Sequence, residues 1–442
     1  MRAPLLLLPV LLAACDGKES PPPNAPPAPS TTVAAATPSA SATTAPTAAP
    51  EGTPPAANAN AGSSDGANVF AFKLFGKAKS ADKNVFLGPT SLRAALSMAT
   101  LGAKGATASE LVSALSVESE PGKIADAAKK ENGDWIGARG TGAELYTANR
   151  LFGEKTYPLK ADFNAKAESG FGAKLEALDF RGNPEGARGT VNKWVVDQTK
   201  NKIPDLLPKG SVTKDTRLIL ANAVYFKASW EMPFTKGLTK DEAFYPKGDS
   251  LGTTAVPTMH RYGTMRANVF PGGKVAELRY GNTDLAMDIV VPDDKNGLEA
   301  LEANLDEGKF QEWTMGLMPK TVNLSLPKFT FSWGGSVADS LKQLGVKTAF
   351  GPGADFTGIA DPKSPKDALY IDNVFHKSFV SVDESGTEAA AASAVVMGVK
   401  SAIGPDPSVI EVKADHPFLF VIRDVKKGRV LFIGHLRDPK AG

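Results

Sequence analysis

Gly248-Asp249-Ser250-Leu251 spells the signature of one class of lipases and esterases, in which a serine attacks an acyl carbon. Such a serine needs a histidine base within hydrogen-bond reach and an acid partner. The chain has four histidines, His260, His376, His416 and His435. None stands in the Asp-x-x-His pairing near the C-terminus that this class requires. The histidines are scattered singly and the only thiol is Cys15, so a metal centre has no ligand set either. Neither catalysis nor a cofactor is expected of these residues.

A different stretch has an unusual composition. Residues Glu384 to Ser401 begin with two acids around a glycine and a threonine, thin to a block of very small side chains, and end at Lys400-Ser401. Ala is the best helix former, so composition alone favours a surface helix. Written instead as a strand, one face carries Thr387, Ala389, Ala391, Ser393 and Val395, and the other Glu388, Ala390, Ala392, Ala394 and Val396. A strand with so narrow and uncharged an inner face could slide between neighbours in a packed sheet, where a bulky one would overpack it.

Residues Asp383 to Ala394, Asp-Glu-Ser-Gly-Thr-Glu-Ala-Ala-Ala-Ala-Ser-Ala, closely resemble the hinge of the reactive-centre loop of inhibitory serpins. The resemblance recurs at Asn84 to Gly105, at Thr147 to Phe152, at Leu220 to Phe234, at Leu326 to Phe329 and at Asp355 to Ile359. It continues through Ala414 to Phe418 and closes at Phe432 to Pro439, covering about Asp65 to Pro439. It implies an α+β serpin fold of three β-sheets, about eight to nine helices and an exposed reactive-centre loop. It also implies a protease inhibitor rather than an enzyme. The target serine protease would attack Lys400 and remain as a covalent acyl complex while the cleaved loop enters the central sheet.

Carried over residue by residue, the hinge is Glu384, Gly386, Thr387, Glu388, Ala389, Ala390, Ala391, Ala392 and Ser393. The scissile bond, sixteen residues after Glu384, is Lys400-Ser401, and a lysine there suits trypsin-like proteases. The stretch from Lys400 to Pro417 is about six residues longer than in short-looped members, which leaves Met397-Gly398 and Ile403-Gly404 as alternative bonds. Ser91, Asn222, Trp230 and His376 match positions that control sheet opening. Where the family usually has Ser, this chain has Gly88, which puts some hydrogen bonding at that point in question. Non-inhibitory members acting as binding or structural proteins often carry bulky, charged or proline residues in the hinge. Thr387 to Ala394 carries none apart from Glu388, on the outward face.

Local patterns supply the elements that must position these residues. Phe70 with Leu74 and Phe72 with Phe75 have helical spacing. Thr90 or Ser91 is expected to cap a helix running through Leu92, Leu96 and Ala99. Val191, Trp194 and Val195 mark an amphipathic helix stopped by Pro204. Leu218 to Phe226 alternates as a strand, Met287–Val291 and Val322–Leu326 read as strands, and Phe418–Ile422 and Val430–Ile433 form a pair joined by a turn at Lys426-Lys427-Gly428.

The N-terminal part is of another kind. Met1-Arg2 precedes an apolar run too short to span a bilayer, and Leu12-Ala13-Ala14-Cys15 resembles the lipobox of bacterial lipoproteins. It implies a signal peptide over residues 1–14 and lipidation of Cys15, with the protein exported and held on a membrane at the periplasmic face or cell surface, or extracellular. From Ser20 to Pro50 every residue but Asn24 and Val33 is Pro, Ala, Ser or Thr. Residues 15–65 therefore read as a disordered tether that could reach on the order of 150 Å. That leaves residues 66–442 as the serpin domain, a monomer by expectation. A net charge of +2 without a basic stripe gives nucleic acid no footprint.

Overall fold

The computed structural model describes residues 66–441 except 250–251, 363, 365–366 and 388–406. Two hydrogen-bonded sheets and nine α-helices are present among the described residues. The main sheet has six strands in the order Phe329–Ser336, Ile371–Val382, Gly386–Thr387, Leu218–Ser229, Ala143–Glu154 and Glu176–Leu178. The second has nine strands, because the 17-residue strand Thr254–Phe270 links groups at its two ends. It pairs with Lys240–Phe244 at one end, with Gly273–Arg279 at the other, and with Met318–Pro327 between. Two of the three sheets implied by the resemblance thus share one continuous strand.

Leu218–Ser229 is buried on both faces for most of its length, as a central strand must be. Its alternation sorts the two faces. Leu218 and Leu220, then Val224 and Phe226, pack into the two large apolar clusters; Ile219, Ala221 and Ala223 face Val191 and Val195 of the helix Pro184–Gln198. That helix crosses the outer face and is tied at its exit. Asn192 donates to the Leu207 carbonyl at 3.0 Å, and its own side-chain oxygen accepts from the Leu207 N–H at 2.8 Å.

Beneath the main sheet, the three-residue strand Val85–Leu87 leads into the helix Pro89–Thr100, of whose twelve residues only Ala94 is not buried. Phe86 stacks on Phe432 at 5.0 Å and on Phe420 at 5.6 Å, which pins this entry to the second sheet. The expected cap at Thr90 or Ser91 is not formed. Pro89 occupies the first turn, where its missing N–H costs nothing, so the cap position falls back to Gly88. The two hydroxyls bind tertiary partners instead: Thr90 donates to the Val430 carbonyl at 2.6 Å and Ser91 to Asn149 at 3.2 Å.

Candidate functional site

Two strands of the main sheet run parallel and pair directly from Ile371↔Leu218 to Phe379↔Tyr225. Beyond Phe379 they separate. The gap is filled by Gly386–Thr387, antiparallel to both: Thr387 lies opposite Val382 on one side and Ala228 on the other, and Gly386 opposite Ser229. The chain reaches this slot through a tight turn in which the Asp383 side chain accepts from the N–H of Ser385 at 2.7 Å and of Gly386 at 3.2 Å. Gly386 is required by space, since a Cβ there would meet the Ala228 carbonyl oxygen at 2.1 Å.

Side chains and backbone clamp the turn. The Trp230 N–H donates to the Ser385 carbonyl at 2.9 Å, its indole N–H to the Asp383 carbonyl at 3.0 Å, and the Phe234 N–H to the Glu384 carbonyl at 2.8 Å. Trp230 itself stacks on Tyr280 at 4.6 Å. Tyr280 hydroxyl and Thr387 hydroxyl are 2.7 Å apart, both buried. Burial pushes the Glu384 carboxyl up, but hydrogen bonds from Lys328 at 2.7 Å and Thr239 at 2.8 Å outweigh it and hold the group below the usual carboxylate range.

Where the strands are closed, a polar network joins them. His376 and Asn222 lie opposite each other in the parallel register, and His376 Nδ1 meets Asn222 Oδ1. His376 Nε2 accepts from the Gly88 N–H at 3.1 Å, which leaves the proton on Nδ1 and makes it the donor to Asn222. Asn222 donates to Ser91 Oγ at 2.8 Å and to Asn149. Complete burial of the imidazole drops its pKa to about 3, so it is neutral. With Gly88 in place of the family's usual serine, the imidazole is still bonded at both nitrogens, since its partner here is the backbone N–H. A Cβ at this position would lie 2.6 Å from Val224 Cγ1.

Sequence reading named Ser91, Asn222, Trp230, His376, Glu384, Gly386 and Thr387, and the structure gathers them into these two groups. It missed Lys328, Tyr280 and Asn149. Each meets its partner from 56 to 107 positions away, and no local pattern marks such a pair. Glu388, Ala389, Ala390, Ala391, Ala392, Ser393, Lys400, Ser401 and the alternative bonds at Met397 and Ile403 lie outside the described residues, as does Cys15. Ser250 also lies outside them, and each of the four histidines has a partner among the described residues. His260 contacts Ser325 at 3.2 Å, His416 bonds Asp415 at 2.7 Å, His435 bonds Glu302 at 2.5 Å, and His376 sits in the sheet. No cluster of metal-ligating groups is found among the described residues.

Relatives of known name carry this fold. The leukocyte elastase inhibitor of Equus caballus is 37% identical over 381 residues, covering 84% of this chain and 97% of that protein. The crystal structure of Serpin48, a highly specific serpin of the insect Tenebrio molitor, is 30% identical with a TM-score of 0.74, covering 84% of this chain and 96% of its own. Human thyroxine-binding globulin, solved with its hormone, is 26% identical with a TM-score of 0.74, covering 85% and 98%. The family model described as Serpin (serine protease inhibitor) matches residues 65–439, and the chain belongs to that family, which is one of protease inhibitors and binding proteins rather than catalytic enzymes.

Proposed function

We propose that this protein is a single-use trap for a serine protease, with Lys400-Ser401 as the bait bond and a trypsin-like enzyme as the target. The observation that carries the reading is the slot between Ile371–Val382 and Leu218–Ser229, already begun by Gly386–Thr387. A loop continuing past Thr387 in the same direction would run antiparallel between two parallel strands. Such insertion breaks one parallel ladder and builds two antiparallel ones, the stronger kind per residue. The net gain is on the order of ten backbone hydrogen bonds at about 1 kcal/mol each. Chain movement would carry an enzyme acylated at Lys400 roughly 50 Å, sixteen residues at about 3.3 Å each, before water can release it. The strand Ala143–Glu154, which would have to shift, runs beside a cavity of about 240 Å³ that Ser91, Asn149, Trp135 and Trp194 line.

Incubation with trypsin should give an SDS-stable complex, and the released C-terminal peptide should begin at Ser401. Lys400→Glu should abolish both. A peptide beginning at Gly398 or Gly404 would move the bond, and retained inhibition by Lys400→Glu would exclude Lys400. Quantitative cleavage with no complex is the outcome expected of a member that binds or scaffolds instead.

The reading extends to address. Cys15 serves as the lipidated first residue of a bacterial lipoprotein, and residues 16–65 hold the trap off the membrane. Several acyl chains on one residue would make the attachment durable. Cys15→Ala should move the protein from the membrane to the soluble fraction; unchanged fractionation would remove the anchor.

A further inference from the structure

On the second sheet, outside both groups described above, arginines crowd one cavity of about 250 Å³. Arg261, Arg266 and Arg279 line it together with Glu231, Met232 and Glu277. Glu277 is 2% exposed at its side chain and is shared three ways. Arg279 Nε donates to it at 3.0 Å, Arg266 Nε lies 3.4 Å away, and the buried Arg423 donates to its other oxygen at 2.7 Å. Arg423 also donates to the buried Asp288 at 2.6 Å. Arg266 donates through Nη2 to the Leu317 carbonyl at 2.7 Å, but its buried Nε has no hydrogen-bond partner. Arg261 donates to the Met232 carbonyl at 2.9 Å, and Glu231 is the charge that attracts it.

Four guanidiniums therefore face three carboxylates, Glu231, Glu277 and Asp288, and one positive charge is left over beside an open cavity. Glu277 is divided among three cations, and with the buried Arg423 taking one of its oxygens it cannot by itself satisfy the forks of Arg266 and Arg279. The volume is several times that of a water molecule, enough for an oxyanion with its remaining hydration shell.

We propose that this cavity is a binding site for a small oxyanion, such as sulfate, phosphate or a small carboxylate, held by Arg266 and Arg279. The site shares a backbone segment with the clamp on the hinge. Glu231 donates its N–H to the Arg279 carbonyl at 2.8 Å, and its neighbour Trp230 holds Ser385. Bound anion would therefore slow opening of the clamp. The site stands independently of whether the loop traps a protease.

The test is a titration of the intact, uncleaved protein, labelled with ¹⁵N at arginine, with sodium sulfate against sodium chloride at constant ionic strength. Arg266 and Arg279 Nε–H signals should shift along a saturable one-site curve, and exchange of the Trp230 and Phe234 amide hydrogens should slow. Arg279→Gln should weaken sulfate at least ten-fold, the loss expected of one charge-assisted bond. Thr264→Asp, at an exposed position on the cavity wall, should abolish the shift by neutralising the surplus charge. Sulfate stabilises proteins generally by exclusion from their surfaces, so shifts that rise linearly without saturation would overturn the site. So would saturable shifts of equal midpoint in wild type and in Thr264→Asp.

Discussion

The two ends of the main sheet differ in what stands between the same two strands. From Ile371 to Phe379 nothing does, and the contact is closed by backbone pairing and by a neutral histidine bonded to an asparagine across the junction. Beyond Phe379 a two-residue strand has entered, held by an ion pair, a hydroxyl pair and three hydrogen bonds from the segment Trp230 to Phe234. The open end is stabilised by what has come in, while the closed end is latched by contacts that any further entry would sever. His376 and Asn222 belong to opposite strands, so a strand between them must break their bond.

Making the slot unfillable should have the largest effect. Thr387 is 1% exposed, and Thr387→Arg would bury a guanidinium with no partner. Folding should survive, because the two-residue strand can withdraw from the slot and leave the arginine in solvent, but covalent complex yield with trypsin should fall at least ten-fold as cleaved protein accumulates. Undiminished yield would separate trapping from the open end.

Acid should act on the closed end. His376 has its folded pKa depressed to about 3 against an ordinary value near 6.5, so the unfolded chain takes the proton first. Its contribution is present above about pH 6.5 and is lost progressively as pH falls toward 3. Between pH 7 and pH 5 the loss should be about 2 kcal/mol. Denaturant unfolding at the two pH values measures it, and His376→Gln should flatten that part of the difference. The Glu384 clamp, whose carboxyl is held low, should persist through the same range.

Lys328→Ala should give the smallest change. The lysine is 36% exposed, so removing its pairing with Glu384 should cost at most about 1 kcal/mol. The effect should appear as faster amide exchange at Phe234, with the closed end unaltered.

These two ends were not equally legible in the sequence. The hinge declares itself by composition: glycine where a Cβ would strike Ala228, then threonine and a run of side chains small enough to enter a sheet. The central strand declares itself by alternation, because both its faces are buried and each has its own apolar set. The Lys328–Glu384 pair and the Tyr280–Thr387 pair do not, since they depend on registers set between distant strands. Gly88 misled in the other direction. The absent serine hydroxyl put hydrogen bonding here in question, but the bond to His376 comes from the backbone N–H of residue 88 and does not depend on the side chain. The helix start at Pro89 was misplaced by two or three residues because Thr90 and Ser91 have cap-forming hydroxyls that tertiary contacts take up first.

Thermal unfolding before and after a single cut within residues 388–406, by a protease that nicks without being retained, tests the stored difference between the two ends most directly. If the freed arm completes the sheet, about 10 kcal/mol of added hydrogen bonding should raise Tm by roughly 12 °C. An unchanged Tm after complete cleavage would mean that the slot opened by Gly386–Thr387 goes no further, and that the molecule is not a spring.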